Sequence, residues 1–237
     1  MKITPEQLLQ MRRRHRGYRI TLGAQLLLLL LLPVAQRVPW LLSLMLCLLA
    51  IELMVFLARY SPLGRKRLTY SLGTLAVVLE ITWHLALRWW PILGKILTLP
   101  HVMVWVLFLL VVAIRKVKAL VREPYVTFSV VLGAASGYLS VGLAGGVLLT
   151  ALWVLHPAAF LQSSLPQLSA LGDLTVAVAP ALMAASFSLL TTVGTEVLRS
   201  SDVTVQVLAN LITISGQLYV AILIGLILGR VHHRAVI

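Results

Sequence analysis

Few side chains in this sequence can do chemistry, and they fall in three places. Glu52 and Glu80 stand inside long apolar runs, with His84 one helical turn after Glu80 and His101 further on. An acid at the centre of a membrane span costs about 2.5–3.5 kcal/mol on an insertion scale, whereas a leucine contributes only about −0.3 to −0.6 kcal/mol. Each acid therefore cancels several leucines and calls for a partner inside the bundle. His84 is the neighbour that a helix brings closest to Glu80. A buried hydrogen-bonded pair is favoured over a proton or metal site formed with His84 and His101, because buried charges find partners. The third place is Thr191-Thr192-Val193-Gly194-Thr195-Glu196, a short run of hydroxyls, a glycine and a carboxylate. No catalytic constellation accompanies it: the histidines are scattered, and neither Gly-x-Ser-x-Gly nor His-Glu-x-x-His occurs. An enzyme is not expected, and no cofactor is implied.

The elements that must position these residues are set by composition. Of 237 residues, 60% are hydrophobic and 11% charged, where a soluble domain carries about a quarter charged. The expected solvent is lipid. The net charge of +13 lies in clusters between apolar runs: Arg12, Arg13, Arg14, Arg16, Arg19; then Arg65, Lys66, Arg67; then Arg115, Lys116, Lys118, Arg122. That is the positive-inside pattern of membrane loops and not a nucleic-acid surface. The single cysteine, Cys47, forms no internal disulfide or metal cluster.

Six apolar runs approach the span length of about 20 residues: about 20–35, 40–57, 72–87, 99–114, 125–155 and 203–228. With the N-terminus inside, sixteen of the basic residues fall on inner segments and only Arg37, Arg88, Lys95 and Arg199 on outer ones. This bias predicts a multi-pass protein with both termini cytoplasmic. Trp40, Trp89 and Trp90 fall at the outer interface. Residues 1–19 read as a separate basic interfacial helix on anionic headgroups, with Thr4 as cap, Pro5 in the first turn and Gln7 completing a capping box. Residues 20–121 form a peripheral four-helix bundle. Seven residues follow Arg230, so no cytosolic regulatory domain is expected.

Between the fifth and sixth runs, residues 156–202 do not read as a span. A polar loop with Gln162, Ser163, Ser164, Gln167 and Ser169 leads to an apolar stretch from Pro180 to Thr191. Twelve helical residues reach about 18 Å, too short for a hydrocarbon core of about 30 Å. Pro180 suits the first helical position. A half-length helix at membrane depth needs protein or a water-filled cavity around its broken backbone, so the chain is expected to dip in and return.

The residues that follow carry a resemblance. Thr191-Thr192-Val193-Gly194 matches the start of the Thr-Thr-Val-Gly-Tyr-Gly-Asp pore loop of the potassium-channel-like cation channel superfamily. Upstream, Ser186-Phe187-x-x-Leu190 resembles that family's pore helix. Downstream, Gly216-Gln217-Leu218-Tyr219-Val220-Ala221-Ile222-Leu223-Ile224 resembles the inner helix of prokaryotic two-span and six-span members. The resemblance covers roughly residues 125–230. It implies an all-α membrane protein of six transmembrane helices, with a re-entrant pore helix and filter between the fifth and sixth. Residues 122–237 would be the pore domain, and four chains would assemble around one pore in a prokaryotic plasma or internal membrane. In such a pore, backbone oxygens of Thr192, Val193 and Gly194 in an extended segment replace the hydration shell of a monovalent cation. The C-terminal dipole of the pore helix favours a cation nearby.

The outer half departs from the family: Thr195, Glu196 and Val197 stand where tyrosine, glycine and aspartate are found. Thr-Val-Gly-Thr-Glu is instead similar to the Thr-Ile-Gly-Glu-Thr of non-selective cyclic-nucleotide-gated channels. A ring of four Glu196 carboxylates would draw cations to the outer mouth, passing sodium and potassium, with calcium blocking or permeating. The competing reading pairs Glu196 with Arg199. Gly216, ahead of Gln217 and Tyr219 in the inner helix, is either a gate hinge or a packing residue; Gly133, Gly137, Gly142, Gly145 and Gly146 read as packing residues. No arginine occurs between Leu99 and Ile114, so little voltage dependence is expected, each charge in the field being worth about 2.3 kcal/mol per 100 mV. Two other functions stand beside the non-selective channel. One is a potassium-selective channel with an altered outer filter. The other is a secondary transporter, disfavoured because no internal repeat is visible.

Overall fold

The computed structural model describes residues 5–60, 66–121, 127–160, 178–194, 198, 200 and 202–235. Side chains are described over 15–38, 40–56, 67–121, 127–160, 178–194, 198, 200 and 202–225. Among the described residues the fold is all-helical: α1 Pro5–Ala35, α2 Pro39–Tyr60, α3 Lys66–Trp89, α4 Pro91–Val121, α5 Phe128–Leu155, a 3-10 turn Pro157–Phe160, α6 Ala179–Leu190 and α7 Val203–Ala235. Five helices are long and apolar enough to cross a membrane, over His15–Ala35, Arg67–Trp89, Pro91–Val121, Phe128–Leu155 and Val203–Gly225. In α2 the described apolar stretch is the shorter Trp40–Phe56. The length and composition of these helices mark an integral membrane protein.

The predicted interfacial helix and first span are one continuous helix, α1. The expected boundary at 19/20 falls inside that helix, where Tyr18 is already buried, edge-on to Phe56 of α2 at 5.5 Å between ring centroids. Thr4, the expected cap, lies outside the described residues, as does the polar loop at 162–169. Prolines punctuate the rest. Pro39 opens α2 after a three-residue turn, and Pro91 opens α4 one residue after α3 ends at Trp89. Proline suits a helix's first turn and disfavours the α conformation in the residue before it.

The α3–α4 hairpin is consequently tight, and its contacts are symmetric about the Trp90–Pro91 junction. Gly94 lies against the Leu87 backbone, where a Cβ would sit 2.8 Å from Leu87 Cα. Trp83 donates to Thr98 Oγ1 at 2.9 Å, and Glu80 meets His101 at 2.7 Å.

Successive helices pack on one another from α1 to α5, and α5 also touches α1, α6 and α7. It is the central post, and its glycines behave as the sequence predicts. A Cβ on Gly133 would reach Tyr18, on Gly137 Tyr219, on Gly142 Phe187, on Gly145 Ser186, and on Gly146 Met183. One core surrounds Tyr18, Leu53, Trp105 and Phe108 among α1–α5 and takes in Ala179 and Met183 of α6. A second, around Trp153, Phe160, Leu182, Leu190 and Ile212, joins α5 to α6 and α7.

Candidate functional site

Helix α6 has 12 residues, about 18 Å long. Pro180 occupies its second position rather than its first. The Ser186 hydroxyl donates to Gly142 O at 2.7 Å, tying α6 to α5.

A helix leaves its last four carbonyls without intrahelical partners, and here those orphans shape the chain that follows. Thr192 N–H returns to Leu189 O at 3.0 Å, and Val193 N–H to Ser188 O at 3.0 Å. This is a Schellman ending, whose first residue past the cap takes the left-handed conformation. That residue is Thr192, at φ 62°. A β-branched side chain there is strained, by about 1–3 kcal/mol as such outliers run. Gly194 takes φ 77°, and its N–H also points back at Ser188 O, at 3.3 Å. The backbone from Thr191 to Gly194 is thus curled and not extended as the sequence predicts, because the α6 carbonyls draw the following N–H groups back. All four residues are exposed, Val193 at 81%. Thr195, Glu196, Val197 and Arg199 lie outside the described residues, so neither the acidic ring nor the Glu196–Arg199 pair is placed.

Helix α7 begins on a cap. Asp202 Oδ1 accepts from Thr204 N at 2.7 Å and from Val205 N at 3.4 Å, the N-cap geometry. Hydrogen bonding from Thr204, first through its backbone, holds the Asp202 carboxyl below its usual range. Val205, Ile212, Gly216 and Tyr219 form the face buried against α5 and α6. A Cβ on Gly216 would lie 2.8 Å from Leu190 O, so this glycine allows close approach of α7 to α6. Tyr219 donates to Ala134 O at 2.9 Å, and Gln217 is exposed.

On a neighbouring face, Gln206, Asn210, Thr213 and Gln217 fall at spacings of four, three and four, one stripe on a helix. Gln206, Asn210 and Gln217 are exposed. The Gln206 amide donates to Ser200 O at 3.1 Å. No family model matches this chain, nor does any curated protein or solved structure.

Of the two acids within apolar helices, Glu80 has a partner other than the one expected. Glu80 is buried and pairs with His101 on α4 at 2.7 Å. The expected partner, His84, instead lies 3.4 Å from Ser43 of α2. Trp83 stacks on the His101 ring at 4.5 Å and 5°. A cavity of about 30 Å³ lies beside the pair, reaching from Ser43 and Thr150 to Ala179 and Met183 of α6; it is large enough for a water or two. Among the described residues no group of three His, Cys, Asp or Glu side chains is arranged to hold a metal ion.

Glu52 is half-buried, and its Oε1 is buried without a hydrogen-bond partner among the described residues. Lys116 is the larger correction: the basic cluster after Ile114 reads as a cytoplasmic loop, yet α4 runs on to Val121 and Lys116 is 1% exposed. Its Nζ donates to Ser136 at 2.5 Å, Ser136 donates to Gln25 Oε1 at 2.7 Å, and Gln25 donates to Ser140 at 3.0 Å. Sequence reasoning missed Gln25, Ser136 and Ser140. The signal was available in a lone glutamine within an apolar run and two serines four apart on α5.

Proposed function

We propose that the chain crosses the bilayer six times, through α1–α5 and α7. In this reading it assembles as a homotetramer around a pore for monovalent cations, with α6 as the re-entrant pore helix. The observation that carries this reading is the polar stripe of α7 beside the end of α6. An apolar helix cannot leave Asn210 and Gln217 against lipid without cost, and polar groups at that depth face a bundle interior or a water-filled cavity. Four α7 helices with those stripes turned inward would enclose such a cavity.

The strained Thr192 supports the same reading, since strain of this kind clusters at functional sites. Each chain contributes one such loop, so a ring of coordinating oxygens requires several chains. Thr192, Val193 and Gly194 would supply oxygens to a dehydrating cation, and Glu196 a carboxylate ring at the outer mouth. Sodium and potassium would both pass. In this reading both termini lie in the cytoplasm, which the charge bias supports, with the basic start of α1 against anionic lipid.

The test is purified protein in liposomes carrying an outward potassium or sodium gradient, with oligomer mass measured in detergent. A tetramer that releases both cations supports the proposal. Release of potassium alone would replace it with a selective channel, and a monomer that releases neither would remove it.

A further inference from the structure

We infer that two hydroxyls outside the loop itself, those of Tyr138 on α5 and Thr213 on α7, are positioning residues that set which cations the loop passes. The inference rests on the pore reading above and deepens it.

Helix α6 ends in four carbonyls that have no intrahelical partners. Phe187 O accepts from Thr191 N at 3.0 Å, and Ser188 O accepts from Val193 and Gly194. These bonds belong to the local chain. The last two carbonyls are also reached from other helices, Leu189 O in addition to its bond from Thr192 N–H. Leu190 O accepts the Tyr138 hydroxyl at 2.7 Å, and Leu189 O accepts the Thr213 hydroxyl at 3.2 Å. Leu190 is followed at once by Thr191 and the strained Thr192, so the position of its carbonyl fixes where the loop starts. Tyr138 is in turn braced by Tyr219, 5.9 Å away between ring centroids.

Thr213 adds a connection to the long helix. Its single hydroxyl proton is shared between Leu189 O and Ala209 O of its own helix, the latter at 3.0 Å. One turn later Gly216 lies against Leu190 O. A rotation of α7 would shift that proton toward Ala209 and loosen α6 from α7. The same helix that carries the polar stripe therefore holds the base of the loop. A filter whose coordinating carbonyls are held less firmly discriminates less between cations of different size.

The experiment compares wild-type protein, Tyr138→Phe, Thr213→Val and Thr213→Ser in planar bilayers, with sodium on one side and potassium on the other. Wild-type protein should give discrete steps. Tyr138→Phe and Thr213→Val should change the sodium-to-potassium permeability ratio roughly two- to tenfold, the factor that one hydrogen bond's net energy allows. Thr213→Ser, which keeps the hydroxyl, should retain the wild-type ratio. A conducting wild type with an unchanged ratio in both Tyr138→Phe and Thr213→Val would overturn the inference and leave the pore reading standing. If Tyr138→Phe and Thr213→Val lose the wild-type oligomer mass, the hydroxyls serve assembly and the inference also fails. A wild type that gives no steps would overturn the pore reading first.

Discussion

Helices α5 and α7 are equally apolar by mean hydropathy, yet 72% of the best membrane window of α5 is buried inside the protein and only 11% of that of α7. In α5 the hydroxyls and glycines are spent on neighbours of the same chain: Ser136 and Ser140 on Gln25 and Lys116, Gly142 and Gly145 on α6. In α7 the buried face holds to α5 and α6, Gln206 bonds to Ser200 O before the helix, and Asn210 and Gln217 are exposed. Hydropathy names the solvent of a helix and leaves its neighbours unnamed; the distribution of polar groups around the helix is what separates a central post from a helix with an exposed polar stripe.

The largest effect that would sharpen this contrast is at the α4–α5 contact. Lys116→Met removes the ammonium that donates to buried Ser136, while Ser136 keeps its bond to Gln25 and Gln25 its bond to Ser140. A hydrogen bond from a charged group contributes about 1.5–3 kcal/mol, so thermal unfolding in detergent should begin at a lower temperature. Lys118→Met, at an exposed position two residues on, should stay within about 0.5 kcal/mol of wild type. Equal effects would return Lys116 to the loop in which the charge pattern places it.

A smaller effect is expected where α7 meets α6. The methyl of Gly216→Ala would meet the Leu190 carbonyl, and overpacking of this kind costs about 1–3 kcal/mol. Unfolding midpoints of the variant and wild type measure it. An unchanged midpoint with altered conduction would instead favour the hinge role of Gly216.

The smallest effect is at the start of α7. Because hydrogen bonds to Thr204 lower the Asp202 pKa in the folded chain, its contribution to stability is complete above the unfolded aspartate value of about 3.9. It is lost as pH falls through the lower folded value. Asp202→Asn keeps a neutral cap. The advantage of wild type over Asp202→Asn, followed by unfolding midpoint from neutral to acid pH, should therefore shrink below about pH 4, near the ordinary aspartate pKa. A constant difference would mean that the carboxylate charge plays no part in the cap.

Much of the helix inventory was legible in the sequence, because long apolar runs bounded by Pro39, Pro91 and basic clusters have few alternatives in lipid. The half-length α6 was legible for the same reason, as too short to span. The polar pairings were not. Glu80 has His84 one turn away on its own helix, but only the α3–α4 hairpin brings His101 opposite. That geometry becomes readable once the turn is placed at Trp90–Pro91, since residues equidistant from the turn and on the inner face must meet. Lys116 was misread because counting basic residues for orientation treats each as solvated. The curl at Thr192 followed from the orphan carbonyls of α6, which a motif comparison does not weigh.

The central claim is that the exposed polar face of α7 meets water within an assembly. Its most direct test is thiol accessibility in sealed vesicles, on a background with Cys47→Ala. Asn210→Cys and Gln217→Cys report the polar stripe; Leu211→Cys and Leu218→Cys report the exposed apolar face beside it. The account predicts that a charged, water-soluble thiol reagent labels the first pair and stops cation release, while the second pair stays protected by lipid or a neighbouring chain. Protection of all four, or equal labelling of both pairs, would contradict it.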